Sequence, residues 1–346
     1  MAAMEGHPES KLAPSQAGNN WRGSVRRVLL SQEFILLIVN ILALILLALY
    51  LSANNPRAFS RYFTLQSLLD ETTRAFEIAL IALPMTYIII TGGIDLSVGA
   101  ILGMSACVMG FAWQDWGVPL PLAILLGIVV GTAGGFLNGF FIIRFKLPPL
   151  IMTLATLALY RGVAEGISRG GQARGFPTWF TEIGRAEFGG VPLQVWLVIV
   201  FVLIAGIILA RTTFGRTLYA IGNNELAARF AGLPVDRVKL MIYTFSGFMA
   251  ALSGFIITSE VSTTRSNLGS GIELDVITAV VLGGTSIFGG SGTIWGTVLG
   301  LSLIRILQSG LQFAGARSEV TIIIVGAVLI LAILLNTFVL NRFREN

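Results

Sequence analysis

The polar stretch RTTFGRTLYAIGNNELAARFAGLPVDRVK, at residues 211–239, separates two long apolar runs and decides how the rest of the chain is arranged. It is too polar to lie in lipid. Its basic residues predict a cytoplasmic position, because loops rich in lysine and arginine favour that side of a membrane. These residues are Arg211, Arg216, Arg229, Arg237 and Lys239.

Within this stretch, the sequence predicts a short helix from Glu225 to Ala231. Asn224 precedes it, in the position where an amide side chain accepts a hydrogen bond from a free backbone N–H group. Gly232 follows in the position where helices commonly end, and Pro234 prevents the helix from resuming. The sequence therefore predicts a helix of about two turns with a defined start and end.

One face of this short helix predicts a contact with another protein. Ala227, Ala228 and Ala231 share that face at helical spacing, and Glu225 and Arg229 flank it. Such a smooth patch can enter a groove on a partner. A solvated helix that only joins two membrane spans explains the same pattern, and the residues alone leave both interpretations open.

The composition indicates whether the folded chain is surrounded by water or by lipid. Of 346 residues, 55% are hydrophobic and 12% are charged, and the mean hydropathy is +0.82. Soluble domains carry roughly 25% charged residues, so this is a polytopic membrane protein. Forty glycines agree, since membrane helices associate through small residues. The net charge of +5 is spread over short loops, which argues against a nucleic-acid partner.

Apolar runs of roughly 17 to 25 residues are needed to cross about 30 Å of hydrocarbon. We expect an all-α polytopic membrane protein with about ten transmembrane helices, some short or broken, the third and eighth being short. The runs lie at residues 33–51, 74–91, 98–113, 120–143, 147–167, 192–210, 239–259, 275–288, 293–313 and 319–340.

An even number of spans places both termini on one side of the membrane. Arg26 and Arg27 before the first run, with Arg342 and Arg344 after the last, predict that this side is the cytoplasm. The expected regions are a disordered cytoplasmic tail at 1–32, a single transmembrane domain at 33–340 containing the cytoplasmic loop 211–239, and a cytoplasmic tail at 341–346.

Several kinds of chemistry lack the residues they need. The only cysteine, Cys107, lies in an apolar run, and the only histidine, His7, lies in the N-terminal tail. We therefore expect no disulfide and no His/Cys metal site in the membrane. A phosphate-binding loop needs a lysine after a glycine, and none of Lys11, Lys146 and Lys239 follows one. We expect a chain that is not an enzyme, with no catalytic residue and no cofactor of its own.

Two glycine stripes predict close helix contacts, because glycine lets backbones approach. They are Gly127, Gly131, Gly135 and Gly139 in the fourth run, and Gly292, Gly296 and Gly300 in the ninth. Asn138 lies beside the first stripe and must face protein or water, so it serves either as an interhelical hydrogen-bonding residue or on a solute path. Arg161 and Glu165, four residues apart, are expected to pair with each other.

Two glycine-interrupted segments predict a translocation path. GGIDLSVG at 92–99 and GGTSIFGGSG at 283–292 each end one apolar run and open another. Interrupted helices in corresponding halves of a transporter often line its substrate path. Asp95 is costly in lipid and is expected either to cap the third helix or to line the path. The other candidate path or gating residues are Ser97, Asn138, Thr285 and Ser286.

Four blocks resemble, in order, the signature blocks of ABC importer permeases of the ribose, xylose, rhamnose and autoinducer sugar group. They are TGGIDLSVGAILG, GFLNGFFIIRFKLPPLIMTLATLALYRG, the loop at 211–239, and GIELDVITAVVLGGTSIFGGSGTIWGT. Many members have a lysine where this chain has Ser291, so no charge-based role is assigned there. The resemblance implies the fold of a type II ABC importer permease that moves a monosaccharide by alternating access.

In that family the loop corresponding to 211–239 docks on a separate ATP-hydrolysing subunit. The resemblance assigns this contact to Gly222, Asn223, Asn224, Glu225, Ala227, Ala228, Arg229, Ala231 and Gly232. It also implies two ATPase subunits, or one fused tandem ATPase, that hold ATP and Mg. A second permease chain, forming a homo- or heterodimer, a periplasmic sugar-binding protein and a place in the bacterial inner membrane complete the implied assembly.

An ion-coupled secondary transporter or a channel for a small polar solute is the alternative. Coupling to an ion would use carboxylates and basic partners inside the membrane. The candidates are Asp95, Glu77, Arg161, Glu165 and Arg305. No ring of like charges is available to select an ion, which favours a neutral polar solute. The external segment 168–191 is expected either to meet the binding protein or to be a plain solvated loop.

Overall fold

The computed structural model describes the backbone of residues 32–344, and the side chains of that range except residues 329, 332, 333 and 335–344. The predicted disordered tail at 1–32 lies outside the described residues, apart from Gln32, and so do residues 345 and 346 of the predicted C-terminal tail. The last helix continues through Arg344, so residues 341–344 of that tail are helical.

The described chain is a bundle of helices with two small strand pairs. The helices are α1 (Gln32–Asn54), α2 (Pro56–Tyr62), α3 (Leu65–Ile90), α4 (Val98–Gln114), α5 (Leu120–Arg144), α6 (Pro149–Ser168), α7 (Thr178–Ile183), α8 (Leu193–Arg211), α9 (Thr213–Asn223), α10 (Glu225–Phe230), α11 (Val235–Val261), α12 (Ile272–Leu282), α13 (Ile294–Phe313) and α14 (Ser318–Arg344). The strands are β1 (Ala173–Arg174), β2 (Glu187–Phe188), β3 (Val191–Pro192) and β4 (Thr263–Thr264). β1 pairs with β4 and β2 pairs with β3, both antiparallel.

Seven of the described helices are long and apolar enough to cross a membrane, namely α1, α3, α5, α6, α8, α11 and α13. Shorter apolar helical stretches are α4 and residues Ser318–Val328 of α14. The prediction of an all-α polytopic membrane protein is confirmed. The predicted eighth run, 275–288, is helical only to Leu282, and α12 rises about 16 Å, roughly half of the hydrocarbon core.

The two ends of the bundle differ in structure. We call one of them the α10 end, because α10 lies there between α9 and α11. We call the other the hairpin end, because the two strand pairs and the short helix α7 lie there. Helix α11 joins the two, running from Val235 beside α10 to Val261 beside β4, while α3 runs in the opposite direction to end at Ile90.

Glycine contacts hold α5 against α11, as the stripe in the fourth run predicts. A Cβ atom placed on Gly247 of α11 would lie 2.7 Å from the backbone nitrogen of Gly135 and would clash with the carbonyl oxygen of Gly131. Between α12 and α13, a Cβ atom on Gly300 would lie 2.6 Å from the backbone nitrogen of Gly283. These backbones touch with no side chain between them, which is how membrane helices gain packing energy without a hydrophobic driving force.

An irregular segment at residues 262–271 enters the bundle from the hairpin end and lies alongside α4. A Cβ atom on Gly110, Gly103 or Gly99 of α4 would meet this segment at successively deeper levels, the last at the carbonyl of Gly269. From Gly110 to Gly99 the segment therefore descends roughly 16 Å, and α12 begins inside the bundle. The sequence patterns did not predict that this segment enters the bundle.

Arg161 of α6 holds the irregular segment in place. Its Nη1 donates hydrogen bonds to the carbonyl oxygens of Ser266 and, at 3.0 Å, of Leu268. The predicted pairing of Arg161 with Glu165 is wrong, because the guanidinium reaches across to the segment instead. Irregular backbone at membrane depth is tolerated only where the protein bonds its polar groups, and Arg161 does this for two carbonyls.

Replacing Gly103 with valine should destabilise the fold, because the new side chain would push the irregular segment away from α4. Overpacking of this kind typically costs about 1–3 kcal/mol, so we expect a lower midpoint of thermal unfolding in detergent. Gly206→Val in α8, where a Cβ atom meets nothing within 4 Å, is the matched control. Equal midpoints for the two variants would contradict the packing of this segment on α4.

Candidate functional site

Helix α10 has the ends that the sequence predicts. The Oδ1 atom of Asn224 accepts a hydrogen bond from the backbone N–H of Ala227 at 2.9 Å. At the other end Gly232 has φ +78°, a left-handed conformation that suits glycine, and its N–H donates to the carbonyl of Arg229 at 3.0 Å. The predicted start at Glu225 is confirmed, and the helix ends at Phe230, one residue before the predicted Ala231.

The exposed surface of α10 differs from the predicted alanine face. Ala227 and Ala231 are exposed, but Ala228 is only 4% exposed and packs into the core of the bundle. The prediction that Ala228 lies on an exposed contact face is therefore wrong. The helix instead exposes Leu226 at 63% and Phe230 at 84%. These two side chains provide apolar surface that a partner can bury.

Four charged side chains bind α10 to the start of α11. Glu225 accepts hydrogen bonds from Lys239 at 2.5 Å and from Arg229 at 2.8 Å, and Arg229 also donates to Asp236 at 2.6 Å. Burial by itself raises the pKa of Glu225, but the hydrogen bonds from Lys239 and Arg229 outweigh it and hold that pKa below its usual value. Glu225 and Arg229 therefore fix the position of α10 within the chain.

Gly222, near the end of α9, lies where the two glycine-interrupted segments meet. A Cβ atom on Gly222 would clash with the carbonyl oxygen of Ile90 and with the backbone nitrogen of Gly290. Those two groups are hydrogen-bonded to each other at 2.9 Å. The segments at 92–99 and 283–292 therefore approach each other directly beside the element that carries α10.

Helix α9 makes two further contacts with the second of these segments. The hydroxyl of Tyr219 donates to the carbonyl oxygen of Gly292 at 2.7 Å, and the side chain of Asn223 lies against Gly290. In the structure both segments are turns between successive helices, α3 to α4 and α12 to α13, rather than breaks within one helix. A displacement of α9 would thus act on both turns at once.

Asp95 is completely buried and is held by hydroxyl and amide groups. Its Oδ1 accepts from the backbone N–H and the hydroxyl of Ser97, at 3.0 and 2.7 Å, and its Oδ2 accepts from Ser246 at 3.2 Å. Asn138 donates to the Ser97 hydroxyl at 2.7 Å and accepts from Tyr160 at 3.2 Å. Asn138 thus forms the interhelical hydrogen bonds that were one of its two expected roles.

Thr285 and Ser286 belong to a different cluster. The backbone N–H of Thr285 donates to Val280 at 3.2 Å, and that of Ser286 donates to Ser291 at 3.0 Å. Within residues 32–344, no described hydrogen bond joins either residue to Asp95. The five residues predicted to line one path therefore fall into two buried clusters.

Known proteins match most of this chain. A family model described as a branched-chain amino acid transport system permease component matches residues 67–333. The chain belongs to this permease family. The ribose import permease protein of Bacillus subtilis (strain 168) is 41% identical to the permease over 297 residues, 85% of this chain and 91% of the relative. The autoinducer 2 import system permease protein of Escherichia coli O9:H4 (strain HS) is 36% identical over 296 residues, 84% and 88% of the two chains.

Membership of a permease family also decides the class of activity. Permease components move a solute and are not enzymes, so the expectation that this chain is a transport subunit is confirmed. Over its described residues, the permease has no group of three or more His, Cys, Asp or Glu side chains that could hold a metal ion.

Two pairs of residues at and near α10 were not predicted from the sequence as functional. Leu226 and Phe230 are the exposed apolar residues, while Lys239 and Tyr219 hold the helix region to its neighbours. Large apolar side chains within an otherwise polar loop were the available signal for the first pair. Nothing local in the sequence indicates the second pair, because each bond joins residues that are far apart along the chain.

Acidification should loosen α10. The pKa of Glu225 is held below its usual value of 4.5, so the stabilisation from this group is present at neutral pH and is lost as the pH falls through that lowered pKa. We expect faster amide hydrogen exchange in residues 225–237 below about pH 4, after correction for intrinsic rates. Lys239→Met should produce the same loosening at neutral pH.

The matched control for this prediction is Lys146→Met, since Lys146 forms no ion pair among the described residues and lies near the same end of the bundle. Exchange in residues 225–237 should then match the wild type. Protection that is unaffected by both acid and Lys239→Met would contradict the role of this ion-pair network.

Proposed function

We propose that the permease is the membrane subunit of an ABC importer and that α10 is the helix on which its ATPase docks. The supporting observation is that α10 is capped and ion-paired to α11, yet exposes Leu226 and Phe230. A rigid helix with an exposed apolar surface can enter a groove on a partner and follow its motion. Because no lysine of this chain follows a glycine, ATP and Mg belong to separate subunits, two copies or one fused tandem.

The contacts around Gly222 provide the route by which docking changes the membrane domain. A displacement of α10 moves α9, and α9 presses on the turns at 91–97 and 283–293 through Gly222 and Tyr219. Backbones touch backbones here, so little of the motion is absorbed by side-chain rearrangement. These two turns act as the inner gate in alternating access.

A second permease chain completes the path at a shared interface. Helix α6 has an exposed face of small residues, Ala155, Ala158, Gly162 and Gly166. A Cβ atom on either glycine would meet no atom within 4 Å. Such a face lets helices of two chains pack closely in a membrane. The second chain is another copy of this permease or a paralogue.

The basic residues of 211–239 support a cytoplasmic position for the α10 end, with both termini on that side of the bacterial inner membrane. The hairpin end is then periplasmic. A soluble sugar-binding protein docks there, where the segment at 168–191 forms α7 and the turn between β2 and β3. This segment is folded rather than a plain loop.

The proposed solute is a small neutral sugar. The two relatives described above are named for ribose and autoinducer 2, and they match 84–85% of this chain, whereas the family description names branched-chain amino acids. Vesicles that contain the complete importer should take up ribose or autoinducer 2 only when ATP is supplied. Uptake of leucine alone would overturn the sugar assignment, and uptake driven by a proton or sodium gradient without ATP would favour the ion-coupled alternative.

Replacing Phe230 with glutamate should abolish docking of the ATPase subunit. The change puts a charge where the partner must bury an apolar side chain, so we expect at least a ten-fold loss of affinity, about 1.4 kcal/mol or more. The measurement is co-purification with the ATPase and coupled ATP hydrolysis. Trp116→Glu is the matched control, because Trp116 is 56% exposed at the opposite end of the bundle and lies outside segment 168–191. Full coupling in Phe230→Glu would mean that α10 is only a connector.

A further inference from the structure

A cavity of about 400 Å³ lies between α3, α11 and the start of α12. Gly269, Ser270 and Ile272 line it where the irregular segment becomes helix. It adjoins a second cavity of about 380 Å³, which shares Arg74 and Glu260 and extends to the β2–β3 hairpin. We call the two cavities together the hairpin-end groove. The groove thus connects the hairpin end with the interrupted helix inside the bundle.

Two carboxylates that line this groove have no protein partner among the described residues. Among the described residues, the side chains of Glu77 on α3 and Glu260 on α11 form no hydrogen bond and no ion pair within 4 Å. Glu71, one turn and a half from Glu77, is by contrast bound by Arg305 at 2.8 Å. A carboxylate taken out of water without a bonding partner costs free energy, so a pair of them at one cavity is suited to a ligand.

Arg74 places hydrogen-bond donors beside these carboxylates. Its guanidinium is 3.8 Å from Glu71, which Arg305 already binds, and its side chain is 60% exposed. Arg185 lies at the mouth of the same groove. Asp70 and Glu187 also line the second cavity, so carboxylates outnumber the two arginines and the groove disfavours an anion. A neutral solute with many hydroxyl groups can use both kinds of partner, since hydroxyls donate and accept.

The remaining wall of the groove is apolar. Phe76, Ile256 and Ile257 line its inner part. Such a surface complements the C–H faces of a sugar ring while the polar groups bind its hydroxyls. The volume lies within the roughly 300–1,000 Å³ that small-molecule sites usually occupy.

We propose that the hairpin-end groove is a low-affinity site for a neutral, hydroxyl-rich solute, in which Glu77, Glu260 and Arg74 bind its hydroxyl groups. This inference rests on the proposed import of a sugar and adds the residues that receive it. It assigns to the groove the role that was predicted for the cluster around Asp95, whose polar groups are bonded to one another.

Thiol labelling tests whether the solute enters the groove. Cys107 is the only cysteine and is fully buried, so Thr73→Cys introduces a single reactive thiol at the groove wall. In proteoliposomes with the complete importer, ribose should slow labelling by a membrane-impermeant methanethiosulfonate reagent in proportion to occupancy, and leucine should not. Ser60→Cys, exposed on α2 and outside both the groove and segment 168–191, is the matched control. Labelling that ribose leaves unchanged, or that leucine slows instead, overturns the inference.

Neutralising the carboxylates tests their role. Glu77→Gln and Glu260→Gln should each lower ribose uptake at sub-saturating concentrations about ten-fold, because a charge-assisted hydrogen bond becomes a neutral one. Asp115→Asn, exposed between α4 and α5 and outside segment 168–191, should transport like the wild type. Equal midpoints of thermal unfolding would separate lost binding from lost folding. If the wild type takes up ribose with ATP while neither carboxylate variant nor the thiol responds, the groove assignment fails and the proposed function stands.

Discussion

Inside a membrane every backbone N–H and C=O group needs a partner within the protein, and in this permease glycine decides how that requirement is met. Gly131, Gly135 and Gly247 bring α5 and α11 into backbone contact. Gly99, Gly103 and Gly110 leave space on α4 for the irregular segment at 262–271, whose carbonyls Arg161 then bonds. The same residue type therefore produces tight regular packing in one place and admits irregular backbone in another. The half-length helix α12 depends on the second of these effects.

The two ends of the bundle use charge in opposite ways. At the α10 end, ion pairs hold α10 against α11. They join Glu225, Arg229, Asp236 and Lys239. Leu226 and Phe230 are exposed beside these ion pairs. At the hairpin end, the side chains of Glu77 and Glu260 line the groove and have no hydrogen bond or ion pair among the described residues. One end is therefore suited to a protein partner recognised by shape and apolar burial, and the other to a small polar solute.

The structure also shows how motion can pass between a soluble partner and the membrane domain. Gly222 touches the backbones of Ile90 and Gly290, so α9 contacts two turns that are far apart in sequence. Any side chain at this position would separate them. Contacts between backbones transmit displacement, because no side chain lies between them that could absorb it by changing rotamer. These contacts lie next to the helix that the proposed ATPase would move.

Sequence alone determined the helical membrane fold, the start of α10 and the glycine contacts of the fourth and ninth runs, because hydropathy, capping and small-residue spacing are properties of a few consecutive residues. It did not determine that Ala228 faces the core, that Arg161 reaches the irregular segment rather than Glu165, or that the carboxylate of Glu77 lines a cavity. Each of these depends on which residues of a different helix lie opposite. Periodicity along one helix defines its faces but does not specify the neighbour of each face, and only the tertiary structure decided those neighbours.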